Sequence, residues 1–234
     1  MRELLAAQRR RVRDVWVSET ADPDHPLLAE ILDLAGEAAV PIRRVGRGRL
    51  DAEARSEAPQ GVLAHAEPLP ETPLDRMTTG GPAPFLVVVD GVTDPQNLGA
   101  LLRSAEGAGA TGVVLPRHRS VHVTPAAAKA AAGAIEHVPL ALVAGIPAAL
   151  QVLRAAGIWT VGLAGEADRN IFGLELATEP VALVLGAEGA GLSRLARQRC
   201  DVLVAIPRLG ALSSLNVAAA GAVACYEVAR RRLG

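Results

Sequence analysis

The sequence predicts an α/β protein with a mainly parallel sheet, preceded by a smaller α/β unit. Short runs of Val, Ile and Leu, such as residues 181–185 and 202–206, are typical of strands buried on both faces of a parallel sheet. These runs alternate with segments of helical spacing, which is the pattern of βαβ units. A proline-rich stretch at residues 68–84 separates residues 1–67 from this alternating part, residues 85–234.

Composition narrows the possible functions. The chain has 234 residues, of which 50% are hydrophobic, enough for one large or two modest domains. A net charge of −1 excludes a globally basic protein, so nucleic-acid binding would come from local patches. Aromatic residues make up only 2%, which disfavours base-stacking platforms. The sequence shows neither a membrane-spanning run nor a signal peptide, and two cysteines are too few for a zinc site, so we expect a reduced cytoplasmic protein without a metal.

Residues 1–67 predict a small α/β unit. After an apolar run at residues 15–17, we expect a helix capped by Asp24 with Pro26 in its first turn, and strands at residues 40–45 and 61–64. The unit carries two arginine clusters. The first consists of Arg9, Arg10, Arg11 and Arg13. The second consists of Arg43 and Arg44 in the strand at residues 40–45, with Arg47 and Arg49 in the turn after it. Each cluster is either a phosphate-binding face or solvated surface charge.

The stretch at residues 68–84 contains prolines and glycines without periodicity, and it predicts an extended, semi-flexible linker. After it, we expect a strand at residues 85–89 and a loop that ends at Asn97. A helix at residues 98–108 follows, in which Arg103 and Glu106 share a face. The remaining predicted elements are a strand at 112–115, a basic loop at 116–120, a helix from Thr124, a strand at 137–143, a helix after Pro147 and a strand at 158–163.

The two buried runs near the C-terminus each end in a loop of small residues. Residues 186–191 (GAEGAG) follow the first run, and Pro207 opens the loop after the second. Such loops expose backbone N–H and C=O groups, which can hold a flat heteroaromatic such as adenine, although ordinary βα turns are the alternative. Ser213 or Ser214 is expected to cap a helix that begins near Leu215. A carboxylate at Glu188 would repel a pyrophosphate, which disfavours a dinucleotide oxidoreductase.

Three segments carry a resemblance to a known family. Residues 90–116, 183–192 and 206–220 resemble, in order and spacing, the three motifs of the SpoU/TrmH branch of SPOUT RNA methyltransferases, and within it the bacterial 23S rRNA (guanosine-2′-O-)-methyltransferases. Residues 40–69 resemble the family's small RNA-binding domain, which has a ribosomal-protein-like α/β fold. The resemblance implies an RNA substrate-binding domain at 1–67 and a methyltransferase domain at 85–234 tied in a trefoil knot. It also implies a homodimer that uses S-adenosylmethionine.

The resemblance also implies site residues. The catalytic positions are Asn97, Arg103, Glu188, Ser214 and Asn216. The cofactor positions are Gly186, Ala187, Gly189, Ile206, Pro207 and Leu215. From their charge density, we expect the RNA-binding residues to be Arg9, Arg10, Arg11, Arg43, Arg44, Arg47, Arg117 and Arg119.

A sulfonium methyl group is already activated, so the reaction requires positioning rather than a metal. The family assigns the position of Arg103 a general-base role, but a guanidinium stays protonated in proteins. We therefore expect Arg103 to bind a phosphate and stabilise the developing alkoxide, while Asn97 and Ser214 orient the ribose. Glu188 pairs with Arg103 or fixes the loop backbone. The alternatives are a tRNA ribose 2′-O-methyltransferase and a catalytically silent rRNA-binding assembly factor of the same fold.

Overall fold

The structure is a computed structural model that describes residues 1–54, 60–79, 83–118, 123–211 and 214–234. It divides into two compact units, Met1–Pro70 (the N-terminal unit) and Glu71–Gly234 (the C-terminal unit). No helix among the described residues is long and apolar enough to cross a membrane.

The N-terminal unit is a three-stranded sheet with helices on both faces. Its elements are α1 (Arg2–Ala7), β1 (Val12–Ser18), α2 (Pro26–Glu37), β2 (Ile42–Val45), α3 (Arg47–Ala54) and β3 (Val62–Ala66). The central strand β1 pairs parallel with β2 and antiparallel with β3. Because side chains alternate along a strand, Val15 and Val17 of β1 face α1 and α2, whereas Trp16 packs with Leu50 of α3 on the other face.

Two predictions for this unit are wrong. The cap of α2 is His25, whose Nδ1 accepts from the Leu27 N–H (3.3 Å), and not Asp24. Arg47 and Arg49 lie on α3 rather than in a turn, because the Gly46 carbonyl accepts from the N–H groups of Arg49 and Leu50. Burial of the Leu50 side chain holds this helix against the sheet.

The C-terminal unit is a six-stranded sheet, and every strand pairing in it is parallel, which confirms the predicted fold class. Its strands are β4 (Phe85–Asp90), β5 (Gly112–Pro116), β6 (Leu140–Val143), β7 (Trp159–Leu163), β8 (Val181–Gly186) and β9 (Val202–Val204). Its helices are α4 (Pro95–Gly107), α5 (Pro125–Ala130), α6 (Ile146–Ala155), α7 (Arg194–Arg199) and α8 (Val217–Leu233), with 3₁₀ turns at Leu74–Met77, Ala134–Glu136, Ile171–Gly173 and Glu175–Thr178.

The order of the strands places a crevice between β4 and β8. The order is β6-β5-β4-β8-β7-β9, so the chain leaves β4 toward one edge of the sheet and leaves β8 toward the other. In parallel sheets, ligands bind at such a switch point, outside the carboxyl ends of the strands. The pairing of Asp90 with Gly186 brings the two strand ends side by side. Apolar residues 85–89 and 181–185 are at most 2% exposed, so the crevice rests on a rigid core.

The close packing of α8 on α4 brings the first turns of both helices to this crevice. A Cβ atom at Gly221 of α8 would lie 2.2 Å from Cδ1 of Leu101, so only glycine allows the two helices to approach this closely. The cap of α8 is Asn216, whose Oδ1 accepts from the N–H groups of Ala218 (2.9 Å) and Ala219 (3.3 Å). The predicted cap is therefore wrong for Ser214, and Ser213 lies outside the described residues.

The linker prediction is wrong for residues 71–79, which pack on the C-terminal unit. The Thr72 N–H donates to the Leu140 carbonyl (2.8 Å), and Glu71 forms a parallel bridge with the same residue. The buried Met77 side chain fills the space above Gly112, where a Cβ atom would lie 2.8 Å from the Met77 sulfur. The segment is held by backbone contacts and by the Met77 and Leu74 side chains, which need no helical or strand periodicity in the sequence.

Candidate functional site

A cleft of about 410 Å³ opens at the carboxyl ends of β7, β8 and β9. It is formed by three loops that come from separate parts of the chain but meet at one edge of the sheet. They are the β7 loop (residues 163–166), the glycine loop (residues 186–192) and the α8 approach (residues 206, 208 and 214–217). Its walls are mostly backbone and small or apolar side chains, as in sites that enclose a small organic ligand.

The glycine loop is closed by its own backbone hydrogen bonds. Ala187 and Gly191 exchange N–H···O bonds of 3.0 and 2.8 Å, and positive φ angles at Gly189 (76°) and Gly191 (67°) allow the chain to reverse. A Cβ atom at Gly186 would lie 2.0 Å from the Gly191 carbonyl carbon, so the loop folds over a bare α-carbon. Its far end is tied to β4, where Asp90 Oδ2 accepts from the Ser193 N–H (2.7 Å). The tip of the loop, Glu188, is thereby held in place.

A directed chain of hydrogen bonds joins Asn216, Asn97 and Glu188. The Asn216 Oδ1 already accepts from the α8 backbone, so its Nδ2 is the group that donates to Asn97 Oδ1 (2.9 Å). Asn97 then has only its Nδ2 left to donate, and this atom reaches Glu188 Oε2 (3.1 Å). The α8 N-terminus thus fixes both amide orientations and one carboxylate oxygen. We name this chain of bonds the Asn–Asn–Glu relay.

The charges on the cleft wall are balanced. The Arg197 guanidinium forms an ion pair with Glu166, and Arg208 donates to the Gly165 carbonyl (3.0 Å). With Glu188, the wall carries two carboxylates and two guanidiniums. This balance suits a ligand with little net charge better than a pyrophosphate, as the sequence indicated.

Most of the predicted site residues lie at the cleft. The lining includes Gly186, Ala187, Glu188, Gly189, Ile206, Ser214 and Leu215, while Asn97 and Asn216 reach it through the relay. Pro207 lies between two lining residues but is not itself part of the lining. Arg103 is exposed on α4, does not line the cleft, and makes neither an ion pair with Glu106 nor another side-chain hydrogen bond to the described residues.

Sequence reasoning missed the β7 loop, Arg197 and Arg208. The β7 loop follows a predicted strand, and the carboxyl end of that strand must lie at the same edge as the others. That rule could have found the loop, although its residues, Ala-Gly-Glu, are ordinary for a turn.

The predicted RNA-binding arginines differ in their partners. Arg117 is held in a fork by Glu71 (3.2 and 2.7 Å), and this hydrogen bond lowers the pKa of the Glu71 carboxyl. Arg43 pairs with Asp14 (3.1 Å) and Arg47 with Asp51 (3.6 Å), whereas Arg44 is exposed without such a partner among the described residues. Arg119 lies outside the described residues. Arg10 and Arg11 line a second cavity, in the N-terminal unit.

Comparison with known proteins identifies the family. Residues 84–226, more than half of the chain, match the sequence profile of the SpoU rRNA Methylase family. The chain belongs to this family. Residues 2–72 of this SpoU protein match a second profile, described as RNA 2′-O ribose methyltransferase substrate binding. The predicted family is therefore confirmed.

Curated relatives of this SpoU protein span almost its whole length. The 23S rRNA (guanosine-2′-O-)-methyltransferase RlmB of Photobacterium profundum is 40% identical over 237 residues, covering 99% of this chain and 95% of the relative. The protein of the same name from Pseudomonas putida is 41% identical over 236 residues, covering 98% and 92%.

Solved structures of SpoU proteins share the fold. The SpoU methyltransferase AviRb from Streptomyces viridochromogenes, solved in complex with the cofactor AdoMet, is 27% identical with a TM-score of 0.82, covering 99% of this chain and 87% of that one. A structure titled RNA 2′-O ribose methyltransferase is 25% identical with a TM-score of 0.80, covering 100% and 87%.

Proposed function

We propose that this protein is an RNA methyltransferase that uses S-adenosylmethionine to methylate the ribose 2′-hydroxyl of a guanosine in 23S rRNA, in the cytoplasm. The observation that carries the proposal is the convergence of three loops on one cleft at the carboxyl ends of β7, β8 and β9, beside the switch point where the Asn–Asn–Glu relay joins the loops after β4 and β8. The names of relatives about 40% identical over nearly the whole chain supply the substrate.

The cleft fits the cofactor. Bare backbone at the glycine loop and at Ile206 and Leu215 offers N–H and C=O groups to an adenine, and the balanced charges accept a ligand that carries both signs. Pro207 fixes φ of the chain as it turns into the cleft. When bound, S-adenosylmethionine supplies a methyl group that its sulfonium has already activated. The residues of this chain therefore have to bind, orient and exclude water.

The relay positions Glu188 for the ribose. Because Oε2 accepts from Asn97, the carboxylate cannot rotate freely, and its Oε1 has no hydrogen bond to the described residues. We assign to this oxygen a hydrogen bond from the target 2′-hydroxyl, with the exposed Ser214 hydroxyl beside it in the cleft wall. Asn97 is then a positioning residue, since both ends of its amide are engaged by protein groups.

We propose that the protein acts as a homodimer in which each cleft receives Arg103 from the partner. Arg103 does not reach the cleft of its own chain, yet a cation is needed beside the phosphate and the developing alkoxide. A mixture of the Arg103→Gln and Glu188→Gln variants tests this. Each alone should be inactive, whereas random mixing should restore about a quarter of the wild-type rate, since half the dimers have one intact site. Activity of Arg103→Gln alone would place Arg103 outside the reaction, whereas two inactive variants that show no recovery on mixing would place it at the cleft of its own subunit.

We also propose that the chain is knotted around the cleft. The family resemblance supports this, and so does the path of the chain, which returns from the edge strand β9 to α8 at the centre of the sheet. Before that return, residues 164–171 run beside residues 204–205, with the Ala205 N–H donating to the Arg169 carbonyl (2.8 Å) and the Ile171 N–H donating to the Ala205 carbonyl (2.9 Å).

Methyl transfer tests the proposed function directly. Purified protein with methyl-labelled S-adenosylmethionine should label 23S rRNA taken from cells that lack this protein. The label should lie on one guanosine, and its 2′-O-methyl group should make the adjacent 3′-phosphodiester resistant to alkaline cleavage. Labelling of tRNA instead would favour the tRNA enzyme. RNA binding without any methyl transfer, by a protein that still binds S-adenosylmethionine, would favour the silent assembly factor.

A further inference from the structure

The N-terminal unit contains a second cavity, of about 480 Å³, which we name the arginine cavity. It lies where α1 ends, β1 begins and α2 gives way to β2. Three of its lining residues are Arg10, Arg11 and Arg13, and the others are neutral; they are Leu4, Leu5, Gln8, Val12, Ala38, Ala39, Val40 and Pro41. An arginine-rich cavity with no carboxylate in its wall has a net positive potential.

Irregular backbone shapes this cavity. Gln8 ends α1 in the left-handed region (φ 47°), and Ala39 after α2 does the same (φ 51°), so both chain segments turn sharply at its wall. The register of β1 against β3 shifts between Val12 and Asp14, which places Arg13 in a bulge. Bulges redirect a side chain out of the regular strand alternation, and here the redirected side chain lines the cavity.

Two guanidiniums of this cavity, those of Arg11 and Arg13, have no acidic partner among the described residues. Arg11 and Arg13 are exposed and have no ion pair with the described residues, and Arg10 donates to a main-chain carbonyl, that of Glu67 (2.9 Å). The second arginine cluster differs, since Arg43 is paired with Asp14 and Arg49 lies 4.9 Å from the ring centre of Trp16. The sequence treated the two clusters alike, but in the structure only Arg11 and Arg13 line a cavity without an acidic partner, whereas Arg44, which also has none, does not line it.

We propose that the arginine cavity binds the sugar–phosphate backbone of the substrate RNA, with Arg11 and Arg13 as forked donors to phosphate oxygens. This inference rests on the proposed function and names the place where the N-terminal unit holds the strand. A phosphodiester fits because guanidinium forks match phosphate oxygens, and because the described cavity wall offers no aromatic side chain to a base.

The test compares three variants, which remove two positive charges, none and one. Arg11→Gln/Arg13→Gln removes both free cations, Arg11→Lys/Arg13→Lys keeps the charge but removes the fork, and Arg2→Gln is the control, since Arg2 on α1 is already paired with Glu30 (2.8 Å). RNA affinity is measured against salt concentration with a 23S rRNA fragment, and S-adenosylmethionine affinity is measured in parallel. Inorganic phosphate and guanosine monophosphate serve as competitors.

The Gln pair should bind RNA at least about 10-fold more weakly. Its slope of log affinity against log salt concentration should be shallower by about 1.4, because each lost contact to a single-strand phosphate removes about 0.7. The Lys pair should keep the slope but lose several-fold in affinity, and Arg2→Gln should match the wild type. An unchanged Gln pair, a Lys pair equal to the wild type, or millimolar phosphate or nucleotide that weakens RNA binding by the Gln pair as much as by the wild type would each overturn the proposal. If the wild-type protein does not bind S-adenosylmethionine, that result would instead contradict the proposed function.

Discussion

The cleft of the C-terminal unit and the arginine cavity of the N-terminal unit differ in the charge of their walls. The cleft is walled by backbone and by charges that cancel, with Arg197 paired to Glu166 and Glu188 held by Asn97. The arginine cavity contains the guanidiniums of Arg11 and Arg13, which have no carboxylate partner among the described residues. Under the two proposals above, one chain recognises a compact zwitterion through shape and a polyanion through charge. The two sites should therefore respond differently to steric changes, to charge changes and to salt.

A methyl group inside the glycine loop should give the largest effect. In Gly186→Ala, the new Cβ would lie 2.0 Å from the Gly191 carbonyl carbon, so the loop would have to open. Overlap of this depth costs about 3 kcal/mol or more. We expect S-adenosylmethionine affinity, measured by calorimetry, to fall at least about 100-fold.

The control for this variant is Gly173→Ala, where a Cβ atom meets nothing within 4 Å and φ is not positive. It should bind S-adenosylmethionine like the wild type, and Gly186→Ala should keep its RNA affinity because the arginine cavity is untouched. If Gly186→Ala binds S-adenosylmethionine as tightly as the wild type, the close fold of the glycine loop is not required for the cofactor site.

Asn216→Asp separates the relay from the helix cap. An aspartate keeps the oxygen that accepts from the Ala218 N–H and caps α8, but it has no N–H to donate to Asn97. We expect the rate of methyl transfer to fall about 10- to 100-fold, the range lost with a positioned catalytic group, while the melting temperature stays unchanged.

The companion variant is Asn216→Ala, which loses both bonds and should also lower the free energy of unfolding by about 1 kcal/mol. Stability is read by denaturant titration and the rate by single-turnover methyl transfer. If Asn216→Asp transfers methyl groups as fast as the wild type, the relay has no part in positioning Glu188.

The arginines that already have acidic partners should contribute little to RNA binding. Neutralising Arg117, held by Glu71, or Arg43, held by Asp14, should change the slope of RNA affinity against salt by less than about half a unit, against about 0.7 for each free arginine of the cavity. A slope change for Arg117→Gln as large as that for Arg11→Gln would remove the distinction between paired and free cations.

The smallest expected effect is the acid dependence of the N-terminal unit. Burial alone would raise the pKa of Asp14, but hydrogen bonds from His65 (2.6 Å) and Trp16 (3.1 Å) and the charge of Arg43 outweigh it, so its pKa lies below the usual value. A depressed pKa in the folded state stabilises the fold above the unfolded pKa, and this contribution is lost as pH falls through the folded value.

Between pH 6 and pH 3 the wild type should thus lose about 0.5–1 kcal/mol more of its unfolding free energy than Asp14→Asn. Denaturant unfolding followed by Trp fluorescence at both pH values measures it. If the unfolding free energies of the two proteins change by the same amount between these pH values, the ionisation of Asp14 is not linked to folding.

The strands β4, β5 and β8 were predictable because they are buried on both faces and form continuous apolar runs, and the glycine loop was predictable from its composition. Local chemistry failed where a distant residue decides the outcome. Arg47 and Arg49 lie on a helix because Leu50 is buried against the sheet, and residues 71–79 pack because Met77 finds its place above Gly112. The arginines could not be ranked from sequence, since Glu71 lies 46 residues from Arg117.

The salt dependence of the two affinities, measured on the same wild-type protein, tests this account most directly. We expect the dissociation constant for S-adenosylmethionine to change less than about 2-fold between 50 and 200 mM salt, while that for a 23S rRNA fragment rises at least about 10-fold. A cofactor affinity that falls as steeply as the RNA affinity, or an RNA affinity that ignores salt, would contradict it.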